Sequence, residues 1–169
     1  MCSSDLLFVR GISGAAPAAG VGNVFVTASP GTLIGGGGSV TSTTASILPW
    51  MVGNTLNNTT SGNTMSFLTW DSGTGRLIPL NTTSGYQSNL AAAAVNENVS
   101  LNTAGTVAVN FGGQTINSLR FGTSGITLNG GAGDALTVTS GAVLSTTSTN
   151  TINAPINFGS SEEIGRAHV

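Results

Sequence analysis

Short apolar segments recur through residues 99–158, and they constrain the fold of this chain more than any other feature. The segments begin roughly eight to ten residues apart, which is the spacing of short strands joined by turns. Within a segment apolar and polar residues alternate, so Ile126 and Leu128 would face one side of a strand and Thr127 the other. Glycines stand between the segments, where turns need unusual backbone angles. The sequence therefore predicts an all-β fold.

The composition excludes several classes of protein. Charged residues make up 6% of the chain, whereas an ordinary soluble domain has about a quarter. The formal net charge is -2 and there is no lysine, so the chain has no basic surface for nucleic acid. Hydrophobic residues still account for 39% of the chain, which argues against disorder. Ser, Thr, Asn and Gly supply the polarity, and such residues stack in neighbouring strands without charge repulsion.

The two ends of the chain can be encoded by reverse complements of one another, and both resemble a translated sequencing-library adapter. We therefore predict that residues 1–6 and 164–169 are artefacts, and we leave them out of the fold reasoning. Cys2 and His168 are the single cysteine and the single histidine of the chain, and both lie in these ends. Residues 7–163 then lack two side chains that often serve in catalysis and metal binding.

Few carboxylates remain as candidates for acid–base chemistry. The set consists of Asp71, Glu97, Asp134, Glu162 and Glu163. The first three lie in separate segments, and no motif unites them. Glycoside hydrolysis needs two carboxylates that flank one bond, and lyase chemistry needs basic groups with metal-binding acids. We therefore expect no catalytic, cofactor-binding or metal-binding residues, although carboxylates from separate segments could still converge in space.

The motif Asp71-Ser72-Gly73 follows apolar residues and is similar to the catalytic motif of aspartic proteases. Those enzymes need two aspartates that share a proton. Asp134 has no matching context, so a second copy in a homodimer would have to supply the other aspartate. A β-hairpin explains the motif better, because residues 67–70 and 76–80 read as two strands around a glycine-containing loop.

Aromatic side chains offer a different kind of site. A carbohydrate-binding module would need at least two exposed, coplanar rings among Trp50, Trp70 and Tyr86. Trp50 has apolar neighbours in the segment 47–54, and this context favours a core position for its ring. Pro49 limits that segment to an edge strand or a bent strand.

One face of the recurring segments is expected to form a shared interior. Arg120 alternates with two of its members and is expected to point outward, either solvated or ion-paired. Residues 86–94 include Leu90 and a run of four alanines, and they are the one place where a short helix could form. The expected interior comprises Leu119, Phe121, Ile126, Leu128, Leu136 and Val138.

These segments resemble bacterial autotransporter-associated β-strand repeat proteins. The resemblance rests on residues 116–121, 126–128 and 135–141, together with residues 47–50 and the hairpin, and it covers about 24–159. It implies a right-handed parallel β-helix, or β-solenoid, with an N-terminal portion rich in hairpins and loops. The implied division places an irregular β segment at 7–95, with its hairpin near 67–80, and regular β-solenoid repeats at 96–163.

The same resemblance implies a function. It implies a structural fragment of a secreted or surface-displayed passenger region, an adhesin-like stalk at the bacterial outer membrane without catalysis or cofactor. Its partners would be neighbouring repeats, with surface glycans or host and matrix components as further candidates. The protein would contact a membrane only through a C-terminal β-barrel that this sequence does not include. Two alternatives stay open: a carbohydrate-active β-helix enzyme, either a polysaccharide lyase or a glycoside hydrolase, and a carbohydrate-binding module.

Overall fold

The computed structural model describes residues 7–10, 23–31, 33–54 and 64–159. The ends that resemble an adapter, with Cys2 and His168, lie outside these ranges, as do Glu162 and Glu163. A 3₁₀ turn, Leu90–Ala92, lies within the segment where the sequence allowed a short helix. The strands are β1 Leu7–Arg10, β2 Val24–Phe25, β3 Leu48–Asn54, β4 Met65–Asp71, β5 Arg76–Pro79, β6 Asn98–Leu101, β7 Gly105–Ala108, β8 Gln114–Phe121, β9 Ile126–Asn129, β10 Leu136–Ser145, β11 Thr151–Ile152 and β12 Ile156–Asn157.

The first five strands form one mixed sheet in the order β1-β3-β4-β5-β2. The pair β1–β3 is parallel, whereas β3–β4, β4–β5 and β2–β5 are antiparallel. The predicted hairpin is confirmed, because β4 and β5 pair from Leu68 opposite Pro79 to Asp71 opposite Arg76. In β3 the pairing with β4 is irregular between Leu48 and Val52, so the strand that contains a proline is bent rather than at an edge.

The remaining strands form two parallel sheets in the orders β12-β10-β8-β6 and β11-β9-β7. Leu119 of β8 lies opposite Val99 of β6 and Val143 of β10. Leu128 of β9 lies opposite Val107 of β7 and Ile152 of β11. The chain alternates between the two sheets, so each new pair of strands adds one strand to each sheet.

The prediction of a right-handed parallel β-helix is wrong. The chain is all-β, as predicted, but it combines antiparallel and parallel pairing instead of one parallel coil. The turn between β4 and β5 is too short for a crossover connection, so these strands must run antiparallel. Alternation of apolar and polar residues is the same in parallel and antiparallel strands, so outside the predicted hairpin the sequence pattern did not separate the two arrangements.

A first core cluster joins residues from both parallel sheets. It contains all six residues that were expected to share an interior, and that prediction is confirmed. Val99 and Leu101 of β6 belong to the same cluster, as does Leu90 of the 3₁₀ turn. Burial of apolar surface contributes about 25 cal/mol per Å². The first core cluster therefore stabilises strands that could not bury their apolar faces without neighbouring strands.

A second core cluster joins β10 to the mixed sheet. Ala142 and Leu144 of β10 pack with Val52, Met65 and Phe67 of β3 and β4. Their position follows from an irregularity in β10, where the pairing with β8 shifts between Val138 and Ala142. The parallel sheet that holds β8 and β10 is therefore covered on both faces along part of its length.

Candidate functional site

Asp71 ends β4 and holds the turn of the β4–β5 hairpin. Its Oδ1 accepts a hydrogen bond from the backbone N–H of Gly73 at 3.0 Å, and its Oδ2 accepts one from the Thr74 hydroxyl at 2.5 Å. The Thr74 hydroxyl is the main cause that lowers the pKa of Asp71; the Gly73 N–H and the charge of Arg76 act in the same direction, against desolvation. This carboxylate therefore caps its own turn.

We expect Asp71→Asn to lower the melting temperature at pH 7 and to have a much smaller effect at pH 2.5, as measured by circular dichroism. The pKa of Asp71 is lowered from an ordinary value of 3.8, so its charge adds stability that is fully present above that value. This stability is lost as pH falls through the folded-state pKa. Ser72→Ala, in the same exposed turn, is the control and should change neither curve. A loss that is equal at both pH values would contradict the argument.

Glu97 ties the start of β6 to the loop that precedes β3. Its Oε1 accepts a hydrogen bond from the Thr43 hydroxyl at 2.5 Å, and its Oε2 accepts one from the N–H of Ala94 at 2.8 Å. The backbone N–H of Asn98 also donates to the carbonyl of Thr43 at 2.7 Å. The carboxylate therefore joins segments that are far apart in sequence.

Asp134 stacks two glycine-containing loops at one end of the parallel strands. It accepts hydrogen bonds from the backbone N–H of Gly112 at 2.9 Å and from that of Gly131 at 3.0 Å. Gly112 lies in the loop before β8 and Gly131 in the loop before β10. Asp71 thus binds donors of its own turn, whereas Glu97 and Asp134 each bind one donor of their own loop and one of another loop, in three separate parts of the fold.

The three candidate rings for carbohydrate binding differ in burial. Tyr86 lies in the second core cluster with 4% of its surface exposed, so a ligand cannot stack on it. Trp50 and Trp70 are partly buried and pack against a third cluster formed by Leu48, Met51, Leu68 and Leu77. This packing agrees with the expected core position of Trp50. Trp50 and Trp70 are the two candidate rings that are not fully buried, and they remain the candidates for a carbohydrate-binding surface.

Arg120 is buried, and the expectation that it points into solvent is wrong. Strand alternation does place it opposite to the first core cluster, but the mixed sheet covers that face, and 1% of the side chain is exposed. Its Nε donates to the carbonyl of Met65 at 2.8 Å. One terminal nitrogen donates to the Ser100 hydroxyl at 2.8 Å and to Asn102 Oδ1 at 3.2 Å. Arg120 thus connects β8 to β6 and to β4.

Tyr86 lies beneath this guanidinium, whose carbon is 5.9 Å from the centre of the ring. The Tyr86 hydroxyl is 2.7 Å from the Ser66 hydroxyl and accepts a hydrogen bond from the N–H of Phe67 at 3.3 Å. Burial raises the pKa of Tyr86 and lowers that of Arg120. We call Arg120, Tyr86, Ser66 and Ser100 the Arg120 cluster. Its contacts fix the mixed sheet against the parallel strands.

A second buried polar group centres on Asn98, to which the sequence analysis gave no role. The Asn98 amide nitrogen donates to the carbonyls of Thr43 at 3.0 Å and Ala45 at 2.8 Å. Its oxygen accepts from the Asn117 amide at 2.8 Å and from the Ser118 hydroxyl at 2.7 Å. All four hydrogen-bonding positions of the amide are therefore used.

No family model, no curated protein and no solved structure matches this chain. The resemblance to autotransporter-associated repeats therefore stays a prediction. In the part of the chain that the structure describes, no three histidine, cysteine, aspartate or glutamate side chains group as a metal site. Within the same ranges, no helix has the length and apolar character needed to cross a membrane. The polar side chains described above connect elements of the fold, and that is the chemistry their geometry supports.

Proposed function

We propose that this chain is a structural, non-catalytic β-sheet scaffold from a secreted or surface-displayed protein. The observation that carries the proposal is the use of its ionisable side chains. Asp71, Glu97 and Asp134 accept hydrogen bonds from loops of this chain, and Arg120 is buried between sheets. Groups that are engaged in this way hold the fold together.

The pattern of strands also suits a scaffold. Each added strand in the two parallel sheets extends a continuous ladder of backbone hydrogen bonds and a continuous apolar interior. Buried amides such as Asn98 and Asn117 bind one another across neighbouring strands at 2.8 Å. Such a contact is lost when a strand slips by one residue, so it fixes the register. A protein that only has to hold its shape gains from both features.

The extracellular setting rests on composition and on the resemblance. Residues 7–163 contain no cysteine, and charged residues make up 6% of the chain. A fold that relies on backbone ladders and uncharged polar side chains needs no disulfide and keeps few salt-sensitive contacts. Neighbouring strand repeats of a longer chain are the partners that such a scaffold would have.

The test is a search for activity and binding on polysaccharides. We expect the purified chain to release no reducing ends and no unsaturated sugars from a panel of neutral and acidic polysaccharides. We also expect no saturable change in tryptophan fluorescence on titration with the same glycans. Turnover of any member of the panel would sink the scaffold proposal. Saturable binding that Trp50→Leu or Trp70→Leu abolishes would instead establish a carbohydrate-binding module.

A further inference from the structure

Asn129 is the last residue of β9, and a glycine follows it directly. No other asparagine of the chain precedes a glycine. The pair is chemically distinctive because the backbone nitrogen of the next residue can attack the side-chain amide of an asparagine. Glycine has no Cβ, so it hinders this attack least and gives the backbone the most freedom to rotate. Water alone can therefore alter the covalent structure of this chain most easily at residues 129–130.

The side chain of Asn129 lies on the outer face of the sheet that contains β7, β9 and β11. Strand alternation places it opposite to Leu128, which is fully buried in the first core cluster. Asn129 is half-buried, and its neighbour Asn153 is exposed. The amide of Asn153 donates a hydrogen bond to Asn129 Oδ1 at 2.9 Å. This bond polarises the side-chain carbonyl, so it makes Cγ of Asn129 a better target for a nucleophile.

The backbone nitrogen of Gly130 would be the nucleophile, and within the described ranges its N–H donates no hydrogen bond. The groups on either side of it are held. The N–H of Val109 donates to the carbonyl of Asn129 at 2.8 Å, and the N–H of Gly131 donates to Asp134 Oδ2 at 3.0 Å. The Gly130 nitrogen therefore has no hydrogen bond to break before it loses its proton.

Packing explains why glycine occupies position 130. A Cβ at this position would lie 2.8 Å from the carbonyl oxygen of Asp134 and 3.0 Å from the Cβ of Ala154. Backbone that close cannot give way as the end of a flexible side chain can. The fold thus requires glycine directly after Asn129, and the reactive pair is a consequence of how the loop after β9 packs.

We propose that Asn129 is a site of spontaneous deamidation in the folded chain. The Gly130 nitrogen loses its proton to hydroxide and bonds to Cγ of Asn129. The bond from Cγ to Nδ2 then breaks, and the amine takes a proton from water and leaves as ammonia, so a succinimide ring remains. Water opens this ring at either of its two carbonyls, which gives aspartate or isoaspartate at position 129. No enzyme, metal or oxidant takes part, and the inference does not depend on the scaffold proposal.

The two products affect the sheet differently. Aspartate keeps the backbone, and its carboxylate can still accept the hydrogen bond from Asn153. Isoaspartate carries the backbone through Cγ, which moves the carbonyl that accepts from the N–H of Val109. Both products place a negative charge on a sheet whose three strands contain no charged residue.

The test is incubation of the folded 169-residue chain at pH 8 and at pH 5, followed by tryptic digestion and mass spectrometry. Cleavage after Arg120 and Arg166 gives one peptide that contains both Asn129 and Asn153. We expect deamidation at Asn129 to be at least about tenfold faster than at Asn153, because the residue after Asn153 carries a Cβ. The rate should be higher at pH 8, since the attacking nitrogen must lose its proton. An isoaspartate-specific methyltransferase should label the same peptide.

The control variant is Asn129→Thr, which removes the side-chain amide and leaves a residue that suits an outer strand position. This variant should keep the wild-type circular dichroism spectrum, and its peptide should no longer be labelled by the methyltransferase. Equal rates at Asn129 and Asn153 in the wild-type chain would overturn the proposal. Deamidation of Asn129 in the urea-unfolded chain but not in the folded chain would overturn it too, because the fold would then block the attack.

Discussion

Replacing Arg120 by methionine is expected to lower the free energy of unfolding by about 3 kcal/mol, because a hydrogen bond from a charged donor contributes roughly 1.5–3 kcal/mol. The variant loses donors to the carbonyl of Met65 and to the hydroxyl of Ser100, both at 2.8 Å. Relief of the guanidinium's own desolvation offsets part of this loss. Urea denaturation followed by circular dichroism measures the difference.

The location of the amides that lose protection in Arg120→Met distinguishes a specific role in joining the two parts of the fold from general destabilisation. Amide hydrogen exchange in Arg120→Met should rise first in β4 and in the loop around Tyr86, while β7 and β9 keep their protection. Thr115→Met, a half-buried position on the same strand, is the matched control and should change stability by less than about 0.5 kcal/mol. Equal stability of Arg120→Met and wild type would mean that the Arg120 cluster does not hold the two parts of the fold together.

Arg120 also shows that a strand pattern predicts which face of the strand a residue lies on, but not whether that face is buried. Alternation correctly placed Leu119 and Phe121 in one interior and Arg120 on the other face of β8. Whether that other face meets water depends on contacts far along the chain, such as the bond to Met65, which lies 55 residues earlier. No local pattern encodes such a contact. A buried arginine is also rare enough that solvent is the natural expectation.

In the same way, some strand pairings follow from the local sequence, and others depend on contacts between segments that are far apart in the chain. The β4–β5 hairpin was predictable, because its turn is short and a short turn forces antiparallel pairing. The parallel pairing of β1 with β3 joins Leu7 to Met51, and no turn between them specifies a direction. The resemblance implied a parallel β-helix with a hairpin-rich N-terminal portion, and it gave no information on which strands of that portion pair in parallel.

The polar groups of the candidate site were harder to foresee than the core. Asp71 carried a local signal, since a carboxylate before Ser-Gly-Thr is well placed to cap a turn. Asn98 carried a weaker one, namely a second asparagine 19 residues later that becomes its neighbour across strands. In a chain rich in asparagine such a spacing arises often. Burial, which separates Asn98 from exposed asparagines, follows only from the packing of the mixed sheet.

Asn98→Leu is expected to cost about 3–4 kcal/mol, because each buried polar group that loses its partner costs roughly 1–3 kcal/mol. The substitution leaves the buried carbonyl of Ala45 without its side-chain donor, and it removes the acceptor that the Asn117 amide and the Ser118 hydroxyl share. Whole domains have about 5–15 kcal/mol of stability, so this is a large fraction. Urea denaturation and the melting temperature both report it.

Asn153→Leu provides the matched control for this prediction. The amide of Asn153, directly after β11, donates to Oδ1 of Asn129 in the neighbouring strand β9 at 2.9 Å, so it forms the same kind of bond between two asparagines, but at an exposed position. Water can replace that bond, and its loss should cost less than about 1 kcal/mol. A similar cost at both positions would show that the buried amide adds nothing beyond a surface contact. A much larger cost at Asn98 means that register and sheet packing depend on one saturated side chain in the interior.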